Sequence, residues 1–333
     1  MLSQSHRPLR RGLRITLLAL ALPTLVCLAA GAALVTSAKG AHAEDSAADK
    51  AEASERCAIR IAIALQGKSA DATLVANPDP QSAIDGMLGS PEFADRYARF
   101  INSQFNGGPA TTPAEDPVYY LAKYVVAQNK PWSELFIGGY SVLAAADGKS
   151  MDVAADPNGV GYFRSPAWMK RYAGNEPMGY MLSASFRILS NTTGLTLTPS
   201  VGNPGDDRTA TGRSAAPCKS CHFDDWYALD KFARLLPMKV VASDPPKFTP
   251  AVPGSQQLLG KTINDDKELL QTLVGSDPWK FAQCRNVFQF LYGRSENQCE
   301  SKVFDACVDA LTTTKTIQSA VAAVAKDPSF CVK

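Results

Sequence analysis

The chain has 333 residues, enough for two domains of ordinary size or one large one. Hydrophobic residues make up 45 % and charged residues 20 %, which excludes a wholly disordered chain, and 23 Gly with 22 Pro are too few for a collagen-like or low-complexity class. The formal net charge of +2 is set by the N-terminus: residues 1–43 carry Arg7, Arg10, Arg11, Arg14 and Lys39 and no acid, and without them 29 basic residues face 32 acidic ones, a net −3. A chain of that balance has no broad attraction for polyphosphate, so nucleic acid is not expected as a partner.

The N-terminus reads as an export signal. Residues 7–14 form a basic region, residues 15–35 are apolar, and Ala41-His42-Ala43 before Glu44-Asp45 is an A-x-A cleavage site ahead of an acidic pair. Residues 1–43 are therefore expected to be a signal peptide, with Pro23 inside the apolar stretch also favouring cleavage. Only an uncleaved segment, whose 21 apolar residues could span a bilayer, would give the chain a membrane contact. Residues 44–56 are polar and are expected to be a flexible lead-in.

Helical patterns dominate from there. Residues 57–66 read as a helix ended by Gly67. Residues 81–88 read as a short helix. Ser90-Pro91 opens 92–105, with Phe93, Tyr97, Phe100, Ile101 and Phe105 on one face. Pro117 opens a helix over 118–128, and Trp132 begins another that Gly138-Gly139 interrupts. Pro177 opens 179–190. Residues 202–216 are the most linker-like stretch, 224–236 are helical up to Pro237, and 241–262 look extended. Near the C-terminus Asp265 caps 266–274, Asp277-Pro278 opens a helix closed by Gly293, and two more helices cover 301–313 and 316–326. No two-residue alternation marks a strand, so the expected fold class is mainly α. A helical domain over 57–201 is joined by the linker 202–216 to a second helical region over 217–333.

The chemistry concentrates in one place. Of the eight cysteines (27, 57, 218, 221, 284, 299, 307, 331) and three histidines (6, 42, 222), the last histidine stands in Cys218-Lys219-Ser220-Cys221-His222. C-x-x-C-H is the attachment motif of c-type haem. Two thiols add to the two vinyl groups of one porphyrin, which fixes their separation, and the next residue presents an imidazole to the iron. A thioredoxin-like pair would need a preceding βαβ pattern, and a zinc site would need further ligands that this sequence does not supply. Cys218 and Cys221 are thus the candidate covalent attachment points for a single haem c, and His222 the candidate proximal iron ligand.

Three segments carry a family resemblance. Leu65 to Lys68, followed by Leu88 to Arg99, resembles the opening helix-and-glycine stretch and the S-P-x-(Y/F)-x-x-R helix of the secreted cytochromes of planctomycete and myxobacterial type. Cys218 to Phe232 is similar to that family's C-x-x-C-H and the stretch that follows it. Phe281 to Phe330 is similar to its C-terminal helical module, with Tyr292-Gly293-Arg294 and a closing Asp327-Pro328-Ser329-Phe330. The resemblance implies a helical haem protein outside the cytoplasm, in a family whose own substrates are unassigned.

With no second histidine after cleavage, a sixth ligand would be a methionine or none. Met87, Met151, Met169, Met178, Met181 and Met238 are available; Met238, just after Pro237, is the leading candidate, and an open site is the alternative. The expected function is electron transfer in the periplasm or at the cell surface, with redox proteins of the cell envelope as partners. A peroxidase-like haem enzyme, or an envelope protein using haem as a redox sensor, is the alternative.

Export also implies disulfides. In an antiparallel helix hairpin, residues equidistant from the turn lie level. About the turn near 296–297 this pairs Cys284 with Cys307. About the turn near 314–315 it pairs Cys299 with Cys331, in preference to a local Cys299–Cys307 bridge. Cys57 is left unpaired.

Overall fold

The structure, a computed structural model, describes residues 47–106, 116–197, 205–224 and 228–332. The expected signal peptide 1–43, with Cys27, lies outside them. Among the described residues no helix is long and apolar enough to cross a membrane.

Helix α1 spans Ala47–Gln66. It begins ten residues earlier than expected, inside the segment expected to be a flexible lead-in. Residues 47–56 are rich in Ala, Glu, Lys and Arg, strong helix formers that extend a turn already nucleated by the buried face at Cys57, Ala58, Ile61, Ala62 and Leu65. Gly67 ends it with φ +70°, where its N–H returns to the Ala62 and Ile63 carbonyls at 3.1 Å. The Arg96 side chain lies against the same turn and its Nε donates to the Ala64 carbonyl at 2.8 Å, so the orphan carbonyls of the helix end are met.

Short helices α2 (Ala72–Val75) and α3 (Ile84–Leu88) lead to α4 (Pro91–Asn106), which packs along α5 (Pro117–Ala127). The expected face of α4 is the observed one: Phe93, Tyr97, Ile101 and Phe105 are buried, and Phe100 packs at its margin. The helix expected from Trp132 stops early. Only α6 (Glu134–Ile137) forms, and after Gly138 and Gly139 the chain becomes strand β1 (Tyr140–Ala144), antiparallel to β2 (Met151–Ala155) with Tyr140 opposite Ala155. This hairpin was not expected. Tyr140 and Val142 are buried on one face, but Leu143 is on the other and is exposed, so the apolar–polar alternation that betrays a strand is missing from the sequence.

Helices α7 (Pro166–Arg171) and α8 (Leu182–Thr193) follow, then three short helices, α9 (Ala210–Arg213), α10 (Lys219–His222) and α11 (Leu229–Ala233). The stretch expected as extended over 241–262 contributes two further ribbons: β3 (Met238–Lys239) pairs with β4 (Phe248–Thr249), and β5 (Gln256–Leu258) with β6 (Lys261–Ile263). The C-terminal helices are α12 (Asp266–Val274), α13 (Asp277–Tyr292), α14 (Ser301–Thr313), α15 (Ile317–Ala325) and α16 (Pro328–Val332), all but the last close to their expected spans. Asp265 caps α12 by accepting from Glu268 N at 2.7 Å, and Gly293 closes α13 at φ +70°. The protein is mainly helical.

The described residues form one compact unit, and the core joins residues on both sides of the 202–216 stretch. Tyr97 of α4 meets Phe290 of α13 edge-on at 5.0 Å, and Phe136 meets Trp279 at 5.9 Å. Trp132 is the central tie. Its backbone N–H donates to the Lys315 carbonyl at 2.7 Å, its indole Nε1 donates to Gln283 Oε1 at 3.0 Å, and its ring meets Tyr97 at 5.5 Å. Trp132→Ala is expected to lower stability by about 3–5 kcal/mol from lost burial and the cavity left behind, with the Gln283 carbonyl left unpaired as well. An unfolding free energy from urea titration within about 0.5 kcal/mol of wild type would contradict this.

Asn191 and Thr192, near the end of α8, are buried, and Asn191 Nδ2 donates to Tyr162 Oη at 3.0 Å.

Two disulfides are present. Cys284–Cys307 joins α13 to α14 with Cα atoms 6.0 Å apart, as the hairpin geometry requires. The other is Cys57–Cys331, Cα atoms 4.8 Å apart, which corrects the expected Cys299–Cys331 bridge and the expected free Cys57. Cys299 is free and exposed. Counting outward from a turn holds only while both arms stay helical. The arm after the α14–α15 turn ends at Ala325, and Cys331 is on α16, a separate helix that packs on α1. The other arm leaves α14 at Ser301, so Cys299 sits in the turn before it.

Candidate functional site

Cys218-x-x-Cys221-His222 folds as one helical turn. Cys218 stands at the N-cap of α10, and the turn closes through His222 N to the Cys218 carbonyl at 3.2 Å and Phe223 N to the Lys219 carbonyl at 2.8 Å. Residues three apart on a turn share a face, with Cβ atoms about 5–6 Å apart. The two thiols are therefore presented side by side. Both are free; Cys218 is exposed and Cys221 half-buried. Unpaired, accessible sulfurs are what addition to an external group needs.

His222 is only 24 % exposed, and its Nδ1 lies 2.8 Å from Asp230 Oδ2. An ionised carboxylate can only accept, so the ring proton is assigned to Nδ1 and the Nε2 lone pair is left available. Among the described residues Nε2 has no protein partner.

Asp230 is on α11 with its side chain 3 % exposed. Burial alone would raise its carboxyl above the ordinary value, but hydrogen bonds from His222 and Arg213 outweigh this and hold it below. Arg213, the last residue of α9, makes the larger contact: Nη2 to Oδ1 at 2.7 Å and Nε to Oδ2 at 3.0 Å. The same Nη2 reaches Glu176 Oε1 at 3.2 Å, and Nη1 donates to the Arg208 carbonyl. Glu176 in turn accepts at Oε2 from Met178 N at 2.7 Å and Tyr180 N at 3.0 Å. Glu176, Arg213, Asp230 and His222 thus form one continuous chain of charge-assisted contacts drawn from four segments.

Its far end touches β3. Gly179 has φ +85°, and a Cβ there would come within 2.3 Å of the Lys239 carbonyl; the Gly179 carbonyl accepts from Lys239 N at 2.9 Å. Around this seam Met178 is 61 % exposed, and Val240 and Val241 are exposed as well. Met238 is half-buried on β3. Met181 and Met151 are buried in the core, and Met87 and Met169 pack against it. Met178 and Met238 are the two methionines at this end of the network. The long helix expected over 224–236 is reduced to α11, so Met238 reaches its place through a turn and a strand. Residues 225–227 lie outside the described residues.

The sequence singles out the two thiols and the imidazole but not the three residues behind them. Asp230 is eight residues beyond His222, the one partner within reach of a local reading. Arg213 and Glu176 are 37 residues apart in sequence and meet only in the fold.

The donor set matches a haem better than a bare metal. A structural zinc site takes four protein donors, and among the described residues no group of three or more His, Cys, Asp or Glu side chains converges. A porphyrin brings its own four nitrogens, and the chain need supply only thiols for anchoring and one imidazole held by a carboxylate, which are the groups present. Compared with protein-family models, curated proteins and solved structures, the chain matches none.

Proposed function

We propose that the protein is an exported single-haem c-type cytochrome that transfers electrons in the periplasm or at the cell surface. The observation that carries this reading is the turn at Cys218–His222: two free thiols on one face, followed by an imidazole whose Nδ1 is tied to a buried carboxylate and whose Nε2 is left open. Covalent haem there supplies a one-electron couple. The chain's own residues would anchor it through Cys218 and Cys221 and orient the imidazole of His222 through Asp230; Met238 stays the candidate second donor on its sequence position alone. The two disulfides agree with an oxidising compartment, and the likeness of three segments to the secreted planctomycete and myxobacterial cytochromes points the same way. The partners in this reading are redox proteins of the cell envelope, which must accept or donate one electron at a time.

The test is direct. The protein, produced in a host with cytochrome c maturation, is denatured, separated by electrophoresis and stained for haem peroxidase activity. A stain that survives denaturation is the expected result. A stain-negative band, with the folded protein obtained in good yield, overturns the reading.

A further inference from the structure

The chain Glu176–Arg213–Asp230–His222 contains more than is needed to orient a ring. The side chains of Glu176, Arg213 and Asp230 are 5 %, 8 % and 3 % exposed. Two carboxylates and one guanidinium leave this buried group with a net charge of −1, next to the one imidazole available for iron. We propose that Asp230, Arg213 and Glu176 are positioning residues that set the redox balance of the site, holding the iron toward its ferric state. The proposal rests on the haem reading above and deepens it.

A carboxylate that accepts the Nδ1 proton pulls it away from the ring and leaves more electron density on Nε2, which favours the more highly charged iron. A buried net negative charge adds to this, because its field is poorly screened where water is excluded. Arg213 acts in the opposite direction and limits the effect: bonded to both carboxylates, it keeps Asp230 from withdrawing the ring proton entirely and fixes its two oxygens. Asp230 touches the imidazole directly, whereas Glu176 acts from behind the guanidinium. The first must therefore have the larger influence.

A purely structural role would hold α9, α11 and the 176–180 segment together and leave the potential unchanged. The experiment uses haem-loaded wild type, Asp230→Asn and Glu176→Gln, with haem stain and far-ultraviolet circular dichroism as controls and the midpoint potential as readout. Asp230→Asn keeps shape and one acceptor but removes the charge. It is expected to move the ferric/ferrous equilibrium toward ferrous by about tenfold, or about 59 mV for a one-electron couple. Glu176→Gln is expected to move it in the same direction by about threefold, reflecting its greater distance. In the haem-free wild type, the His222 ring nitrogens should report the Nδ1–H tautomer by NMR, and Asp230→Asn should shift that balance.

A potential unchanged in stained, folded Asp230→Asn, or shifted negative, overturns the proposal. If Asp230→Asn does not fold, Glu176→Gln decides in the same way: a positive shift supports the relay and an unchanged potential refutes it. A wild type that takes up no haem overturns the underlying reading instead, and the stain separates that failure from the others.

Discussion

Alanine at both Cys218 and Cys221 is expected to remove all covalently held haem, so the stain that survives denaturation in wild type disappears. The two sulfurs make no disulfide, and Cys218 is exposed, so the double variant should keep its fold, within about 0.5 kcal/mol per site as for surface positions. Loss of stain with unchanged circular dichroism would then report the missing thioether bonds and not a misfolded chain. Either single variant should retain some stain, because one thioether is enough to hold the group through denaturation. His222→Ala should separate attachment from ligation: the stain persists, while the wild-type absorption spectrum and potential are lost. In the proposed exported form, without residues 1–43, His222 is the sole histidine, so no other imidazole would replace it. Asp230 would keep its two contacts to Arg213, so this variant is expected to lose only about 1–3 kcal/mol of stability. A near-native potential in His222→Ala, or a fully stained double cysteine variant, would show that the group is held elsewhere.

Breaking the Cys57–Cys331 bridge, as in Cys57→Ala, should be the most destabilising of the cysteine changes. The Cys57–Cys331 bridge spans a sequence separation of 274, nearly the whole described chain, whereas Cys284–Cys307 spans 23. In the chain-entropy picture, closing a loop of that length restricts the unfolded ensemble by about 5 kcal/mol, against about 3 kcal/mol for the short one. Measured losses for native disulfides run about 2–5 kcal/mol, and the expected value for Cys57→Ala lies in that range. Cys331→Ala should lose the same amount, and the double variant little more, since both remove one bond. Arg60, one turn after Cys57, lies over the rings of Tyr292 and Phe330 at 5.4 and 4.6 Å, so part of the α1–α16 contact survives reduction. Cys299→Ala, at an exposed free thiol, should change stability by less than about 0.5 kcal/mol. Urea unfolding without reductant ranks the variants, and non-reducing peptide mapping identifies the bridge. A recovered Cys299–Cys331 peptide would overturn the assignment.

Much of this could be read from the chain because its determinants are local. The apolar face of α4 repeats every three to four residues, and Phe93, Tyr97, Ile101 and Phe105 had no other face to occupy. The start of α12 and both ends of α13 follow from Asp265, Pro278 and Gly293, whose effects on the backbone extend over one turn. The C-x-x-C-H motif is legible for the same reason: five consecutive residues suffice to place two thiols and an imidazole on one helical turn. Cys284–Cys307 was reachable because only two adjacent helices and one short turn separate the partners.

Tertiary structure decided the rest. The β1–β2 hairpin is invisible locally because Leu143 faces outward, and its strands are specified by pairing with each other. The N-terminal half of α1 has no buried face of its own and forms as an extension of a helix anchored downstream. Cys57 finds Cys331 only because α16 turns away from α15 and docks on α1, a path set by packing at Phe330 and Arg60. The relay behind His222 has the same origin. Glu176, Arg213 and Asp230 lie on separate segments, and each could have remained an ordinary surface charge. The fold brings them together in a space with little water, where a carboxylate is stable only when paired. Local spacing determined which residues of this protein could anchor a haem. Long-range packing determined which buried charges stand behind its imidazole, because Glu176, Arg213 and Asp230 are far apart in sequence and meet only in the assembled fold.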